Sequence, residues 1–211
     1  MVLNLVLLLV WIICIAFLWN EGMWSNMLSF LNTLLAALIA TNWYEPLANF
    51  LEGRESSFTY FWDFLALWIL FALSLALLRA ITDSISKTRV RFKMPVEHTG
   101  RVLLSILTGW VFVCFVTTTL HTAPLARESF RGSFGVSPQA RPFFGLAPDL
   151  TWLGFVQNAS LTGYSQPDAQ ATGVESSDQG MRVFDPQGEF TIKYAARRHA
   201  LAQEEKMRVR K

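Results

Sequence analysis

Nineteen residues from Met1 to Trp19 pass without a charge. As a helix rising 1.5 Å per residue, such a run covers roughly 28 Å, about the thickness of a hydrocarbon core. This predicts a first membrane helix. A cleaved signal peptide is the competing reading, but no basic segment precedes the run and no small-x-small site lies near Trp19-Asn20-Glu21-Gly22. Three further apolar runs follow. Trp24 to Trp43 is softened by Ser25, Asn26, Ser29, Asn32 and Thr33 and closes on Trp43-Tyr44 before Pro46; Phe58 to Leu78 carries Tyr60, Trp62 and Trp68; Val102 to Leu120 is the last. Charged residues make up 16% of the chain, against about 25% in soluble domains, and hydrophobic residues 52%. The predicted fold is therefore an all-α integral membrane protein: a four-helix transmembrane bundle within residues 1–125, with spans near 1–19, 24–43, 58–78 and 102–120, and a partly disordered C-terminal tail over 126–211.

Orientation follows from basic residues near helix ends, which resist translocation. Arg79, Lys87, Arg89, Arg91, Lys93 and Arg101 face only Asp83 and Glu97 in the loop between the third and fourth spans, which predicts a cytoplasmic basic loop. The Glu45 to Ser57 loop, with three glutamates against Arg54, suits the far side. Four spans then put the N-terminus outside, the Asn20 to Met23 hairpin inside and the tail outside.

Within the tail, residues 164–180 have almost no apolar content and read as a linker, because such a segment cannot offset its own ordering entropy. Asp149 to Val156 offers an N-cap followed by an apolar cluster around Trp152, a short helix expected to lie on the membrane surface. Beyond it we expect a turn at Asp185-Pro186-Gln187-Gly188, a short strand from Glu189 to Tyr194, and a polar helix from Ala195.

No catalytic motif is present: there is no Gly-rich phosphate loop, no His-Glu-x-x-His and no Gly-x-Ser-x-Gly, and His98, His121 and His199 fall in different regions. Cys14 and Cys114 both sit in apolar runs, which suggests neither a disulfide framework nor a thiolate metal site. The expectation is a non-enzyme without cofactor or metal. Asp63 is the only ionisable residue well inside an expected span, a position that raises ion or proton movement as a hypothesis. It lies five residues into the third run, however, where a helix N-terminus and interfacial water favour anchoring or helix pairing. Ser25, Ser29, Asn32, Ala36 and Ala40 share one face of the second helix; Ala72, Ala76 and Ala80, and Ser105 with Gly109, repeat small-residue spacing on the third and fourth. Close helix contact in lipid requires such residues, so they are expected to specify a bundle or an oligomer. Thr88 to Met94 alternates basic and apolar residues and suits anionic headgroups. Expected partners are membrane lipids and other membrane proteins or a second copy, not nucleic acid.

The apolar first helix, the Gly-containing hairpin, Met27-Leu28-Ser29-Phe30-Leu31 and Trp43-Tyr44-Glu45-Pro46-Leu47-Ala48 together resemble the colicin V production protein family. His98-Thr99-Gly100-Arg101 followed by Val102 to Trp110 is similar to that family's entry into its fourth helix. The resemblance covers roughly Val2 to Leu125. It implies an integral protein of the bacterial cytoplasmic membrane needed for colicin V production or export and linked to envelope homeostasis, and it brings no catalytic residues. A small oligomeric channel or transporter built on the second and third helices is the alternative.

Overall fold

The computed structural model describes residues 2–54, 61–86, 93–125, 141–162, 166–167, 181–182, 184–185 and 188–209. It contains α1 (Val2–Leu18), α2 (Met23–Glu52), α3 (Trp62–Ile85), α4 (Met94–Thr122), α5 (Pro148–Thr162) and α6 (Phe190–Val209). Gln166 and Pro167 pair antiparallel with Arg182 and Met181 in a two-residue ladder, so a piece of the expected linker does pair; most of 164–180 lies outside the described residues.

α2, α3 and α4 are long and apolar enough to cross a membrane, whereas α1 is a shorter apolar helix of 17 residues. Leu5, Leu9 and Phe17 on α1, Leu73 and Leu77 on α3, and Leu103 on α4 are all more than half exposed. Apolar faces this broad are foreign to a monomer in water and natural in lipid. α2 packs along α3 and α4, and α1 packs chiefly on α4. α2, α3 and α4 extend beyond the apolar runs that announce them. α2 continues through Pro46 to Glu52, although proline removes a helix hydrogen bond. Tertiary packing sustains it there, because Tyr44 and Ala48 on either side of the proline are almost wholly buried.

The core runs from Ala36, Ala37 and Ala40 through Ala66, Leu67 and Phe71 to Cys114 and Phe115, and it also takes in Trp152, Val156, Phe190 and Tyr194 from the tail. Phe71 and Phe115 stack with centroids 4.6 Å apart. A second cluster joins Leu3, Leu7 and Val113 to Phe143. The short segment around Phe143 holds Phe143, Phe144 and Ala147 at positive φ, a conformation that costs L-residues energy. Burial of the Phe143 ring against Trp11 and Trp110, and donation from its N–H to Asn4 Oδ1 at 3.1 Å, hold it there.

Two tail expectations are corrected. Residues 190–194 are the first turn and a half of α6 rather than a strand. Phe190, Ile192 and Tyr194 alternate, but Phe190 and Tyr194 are also four apart, and the helical face wins because both rings bury against α2, with Phe190 edge-on to Tyr44. Asp185 fixes the start by accepting from the Glu189 and Phe190 N–H groups at 2.8 and 3.1 Å. α5 begins at Pro148, so Asp149 lies in its first turn; its carboxylate meets His121 and Trp152 is buried in the bundle core, which makes α5 a packed element rather than a lone surface helix.

Candidate functional site

Polar side chains gather at both ends of the bundle, and an open cleft lies between them. The first cluster sits where α2 ends and α3 begins. Asp63 occupies the first turn of α3, where unpaired N–H groups favour a carboxylate, and only 12% of its side chain is exposed. Its Oδ2 accepts from Tyr194 Oη at 2.9 Å and forms an ion pair with Arg197, both on α6. The phenol oxygens of Tyr194 and Tyr44 are 3.1 Å apart, and Lys193 Nζ reaches Glu45 Oε1 at 3.3 Å. Burial, then the neighbouring Asp63 charge, pushes the Tyr194 phenol above its ordinary range, so it keeps the proton it donates. For Arg197, burial acts to lower the pKa, but Asp63, Tyr194 and Tyr44 together outweigh it and the guanidinium ends above its usual value. Further ties fasten the tail to the same end: Arg198 Nη1 donates to the His121 carbonyl at 2.9 Å, His121 Nε2 meets Asp149 Oδ2 at 2.9 Å, and Trp152 Nε1 donates to Thr41 Oγ1 at 3.1 Å. Burial lowers the Arg198 pKa from its ordinary value.

The opposite end is closed around a neutral amide, with the Glu97 carboxylate at its margin. Asn26, fully buried on α2, places its amide nitrogen 3.1 Å from the Leu18 carbonyl, 3.2 Å from the Arg101 carbonyl and 3.0 Å from Ser105 Oγ, joining α1, α2 and α4. Ser105 Oγ in turn donates to the Arg101 carbonyl at 2.8 Å. Trp24 Nε1 donates to Ser86 Oγ at 2.7 Å and the Met23 N–H to Glu97 Oε1 at 3.3 Å. Arg79 stands outside this lattice, 3.8 Å from Glu21 and 3.9 Å from Asp83.

The cleft lies between α1 and α3 and has a volume of about 610 Å³. Phe17 and Leu18 form one wall, Ala72, Leu75 and Ala76 the other; Ser29, Asn32, Thr33 and Thr108 lie deeper, and Arg79 lines one end.

The residues singled out by sequence thus divide. Ala36 and Ala40 are fully buried in the core. Ser25 hydrogen-bonds to Glu21, Ser29 lines the cleft, and Asn32 Nδ2 donates to Thr82 Oγ1 at 2.9 Å. Ala72, Ala76 and Ala80 are exposed, the first two along the cleft. Gly109 is the close approach of α1 to α4: a Cβ there would lie 2.7 Å from Trp11 Cδ1, and Trp11 Nε1 donates to the nearby Ile106 carbonyl at 3.1 Å. Of the basic loop, Lys87, Arg89 and Arg91 lie outside the described residues, as does most of the alternating 88–94 segment. Lys93 precedes α4, and Arg101 on α4 has its guanidinium 3.1 Å from His98 Nδ1. Sequence reasoning missed Asn26 as a bridge, and missed Tyr44, Tyr194 and Arg197 as partners of Asp63. A helical reading of 190–197 would have placed Phe190, Tyr194 and Arg197 on one face. Among the described residues no group of three or more His, Cys, Asp or Glu side chains is placed to hold a metal ion.

Long apolar helices, lipid-compatible outer faces and polar groups confined to the helix ends and interior define a multi-pass helical membrane protein. A family model described as Colicin V production protein matches residues 3–140, about two thirds of the chain. The chain belongs to that family, and the membership supports a membrane protein in toxin production. No curated protein and no solved structure matched it.

Proposed function

We propose that this protein is a non-enzymatic, four-span accessory of the bacterial cytoplasmic membrane. It supports toxin production or export, or envelope homeostasis, through contacts with other membrane proteins. α1 is the fourth span, its 17 residues covering roughly 26 Å, close enough to a hydrocarbon core of about 30 Å for flanking residues or local thinning to absorb the difference. Both termini lie outside the cytoplasm, with the basic segment between α3 and α4 inside.

The observation that carries this reading is the fate of Asp63. The one ionisable side chain well inside an expected span is engaged by Tyr194 and Arg197, so it serves to dock the tail. Three threonines near the bundle interior are also satisfied locally. The hydroxyls of Thr108, Thr117 and Thr118 each donate to a carbonyl four residues earlier, at 2.7 to 3.0 Å, which satisfies them without water.

A channel or transporter is the second reading, and the polar floor of the cleft at Ser29, Asn32, Thr33 and Thr108 favours it. Asp63 does not line that cleft. Purified protein reconstituted into liposomes separates the two readings: the accessory predicts no ion flux above empty liposomes, whereas flux abolished by Asn32→Leu, in the cleft floor, establishes transport. In-membrane crosslinking with partner identification then names what the accessory contacts.

A further inference from the structure

We propose that the cleft between α1 and α3 is a phospholipid site that seats one acyl chain and selects a zwitterionic headgroup, whose phosphate meets Arg79 and whose ammonium meets Glu21 and Asp83.

The cleft has the dimensions of half a bilayer. From Trp68 to Arg79, both on its lining, α3 rises roughly 16 Å, about half of a hydrocarbon core near 30 Å. Its volume of about 610 Å³ falls within the range of about 300–1,000 Å³ typical of small-molecule sites. Ala72 and Ala76 give this wall its depth, since neither side chain extends beyond Cβ. The lining is mostly apolar, and two of its deeper polar residues are satisfied within the protein: Asn32 donates to Thr82, and Thr108 to its own helix. Hydrocarbon fits such a surface better than a solute seeking hydrogen bonds.

The mouth supplies the charge pattern. The Arg79 side chain is 61% exposed, and its two carboxylate neighbours at 3.8 and 3.9 Å lie beyond hydrogen-bond length. A phosphate oxygen can therefore take a shorter, charge-assisted hydrogen bond from the same guanidinium. One cation flanked by two carboxylates leaves this triad at −1, which opposes a purely anionic headgroup. An ammonium borne on the same headgroup completes the pattern.

Native mass spectrometry of the full chain, released from nanodiscs holding equal phosphatidylethanolamine and phosphatidylglycerol with a trace of free fatty acid, tests this. One phosphatidylethanolamine should remain bound. Arg79→Gln should lower its retention about tenfold, on the scale of one charge-assisted hydrogen bond. Ala76→Phe should abolish retention by filling the cleft, and Leu73→Phe, on the exposed outer face of α3, should leave it unchanged. Equal or greater retention of phosphatidylglycerol or fatty acid, or no bound lipid, overturns the proposal. So does a folded Ala76→Phe protein that keeps its lipid, or one that keeps its lipid and loses a dimer, because the cleft would then belong to a second copy. If Ala76→Phe does not fold, Arg79→Gln at its exposed position decides: unchanged retention there overturns the proposal.

Discussion

At the hairpin end of the bundle, one neutral amide, that of Asn26, ties α1, α2 and α4 through carbonyls and a hydroxyl. At the tail end, an ionised carboxylate, two phenols and an arginine do the equivalent work across a sequence separation of more than a hundred residues. Both clusters lie near bundle ends, and the difference follows from exposure: Asn26 is fully buried, whereas Asp63 and Arg197 keep 12% and 34% of their side chains exposed. Neutral hydrogen bonds satisfy backbone and side chains in a dry helix interior without the desolvation that a charge exacts. A carboxylate is tolerable only near an end, at a helix N-terminus with a cation supplied from outside the bundle. The hairpin end should hold whether or not the tail is docked, whereas the tail end is a joint that salt and mutation can loosen.

The largest effect that would break this comparison is expected at neither cluster. Gly109→Leu inserts a side chain where Trp11 already stands, and it should destabilise α1–α4 packing by about 2–3 kcal/mol, measured as loss of thermal stability in a fixed detergent. Next is Asp63→Leu, which removes the acceptor of Tyr194 and the partner of Arg197. With Arg197 one-third exposed, the loss should be about 2 kcal/mol, felt as faster amide exchange in α6 while the exchange of α1 and the hairpin is unaltered. Asn26→Leu should cost about 1 kcal/mol and show the opposite pattern, with α1 loosening and α6 unaffected. Smallest is Lys193→Met, whose half-exposed pair with Glu45 should be worth less than about 0.5 kcal/mol and vanish in high salt. Equal loosening of both ends by Asp63→Leu and by Asn26→Leu would show that the ends form one cooperative unit and dissolve the distinction.

How much of this was legible in the sequence follows the same division. The long helices could be read because membrane burial writes itself locally, as uninterrupted apolar residues, and Gly109 and Ser105 could be singled out because small spacing is local too. Helix ends were harder: α2 and α4 run past their apolar runs, one to Tyr44 and Ala48, which are buried by packing, the other back to Met94, which is exposed. The partners of Asp63 were out of reach, because Tyr194 lies 131 residues away on a segment whose alternation of Phe190, Ile192 and Tyr194 fits a strand as well as a helix. Ala72 and Ala76 show the converse limit: their spacing is the same whether a small residue faces a helix or opens a cleft.

α6 docks on the bundle end formed by the close of α2 and the start of α3, which the proposed topology sets across the membrane from the basic loop. Single cysteines at Arg54, Lys87 and Gln203, in a background lacking Cys14 and Cys114, can be probed in intact cells with an impermeant thiol reagent, with labelling after permeabilisation as the control. Positions 54 and 203 should label together in intact cells, and position 87 only once the membrane is opened. Positions 54 and 203 on opposite sides of the membrane would contradict this docking.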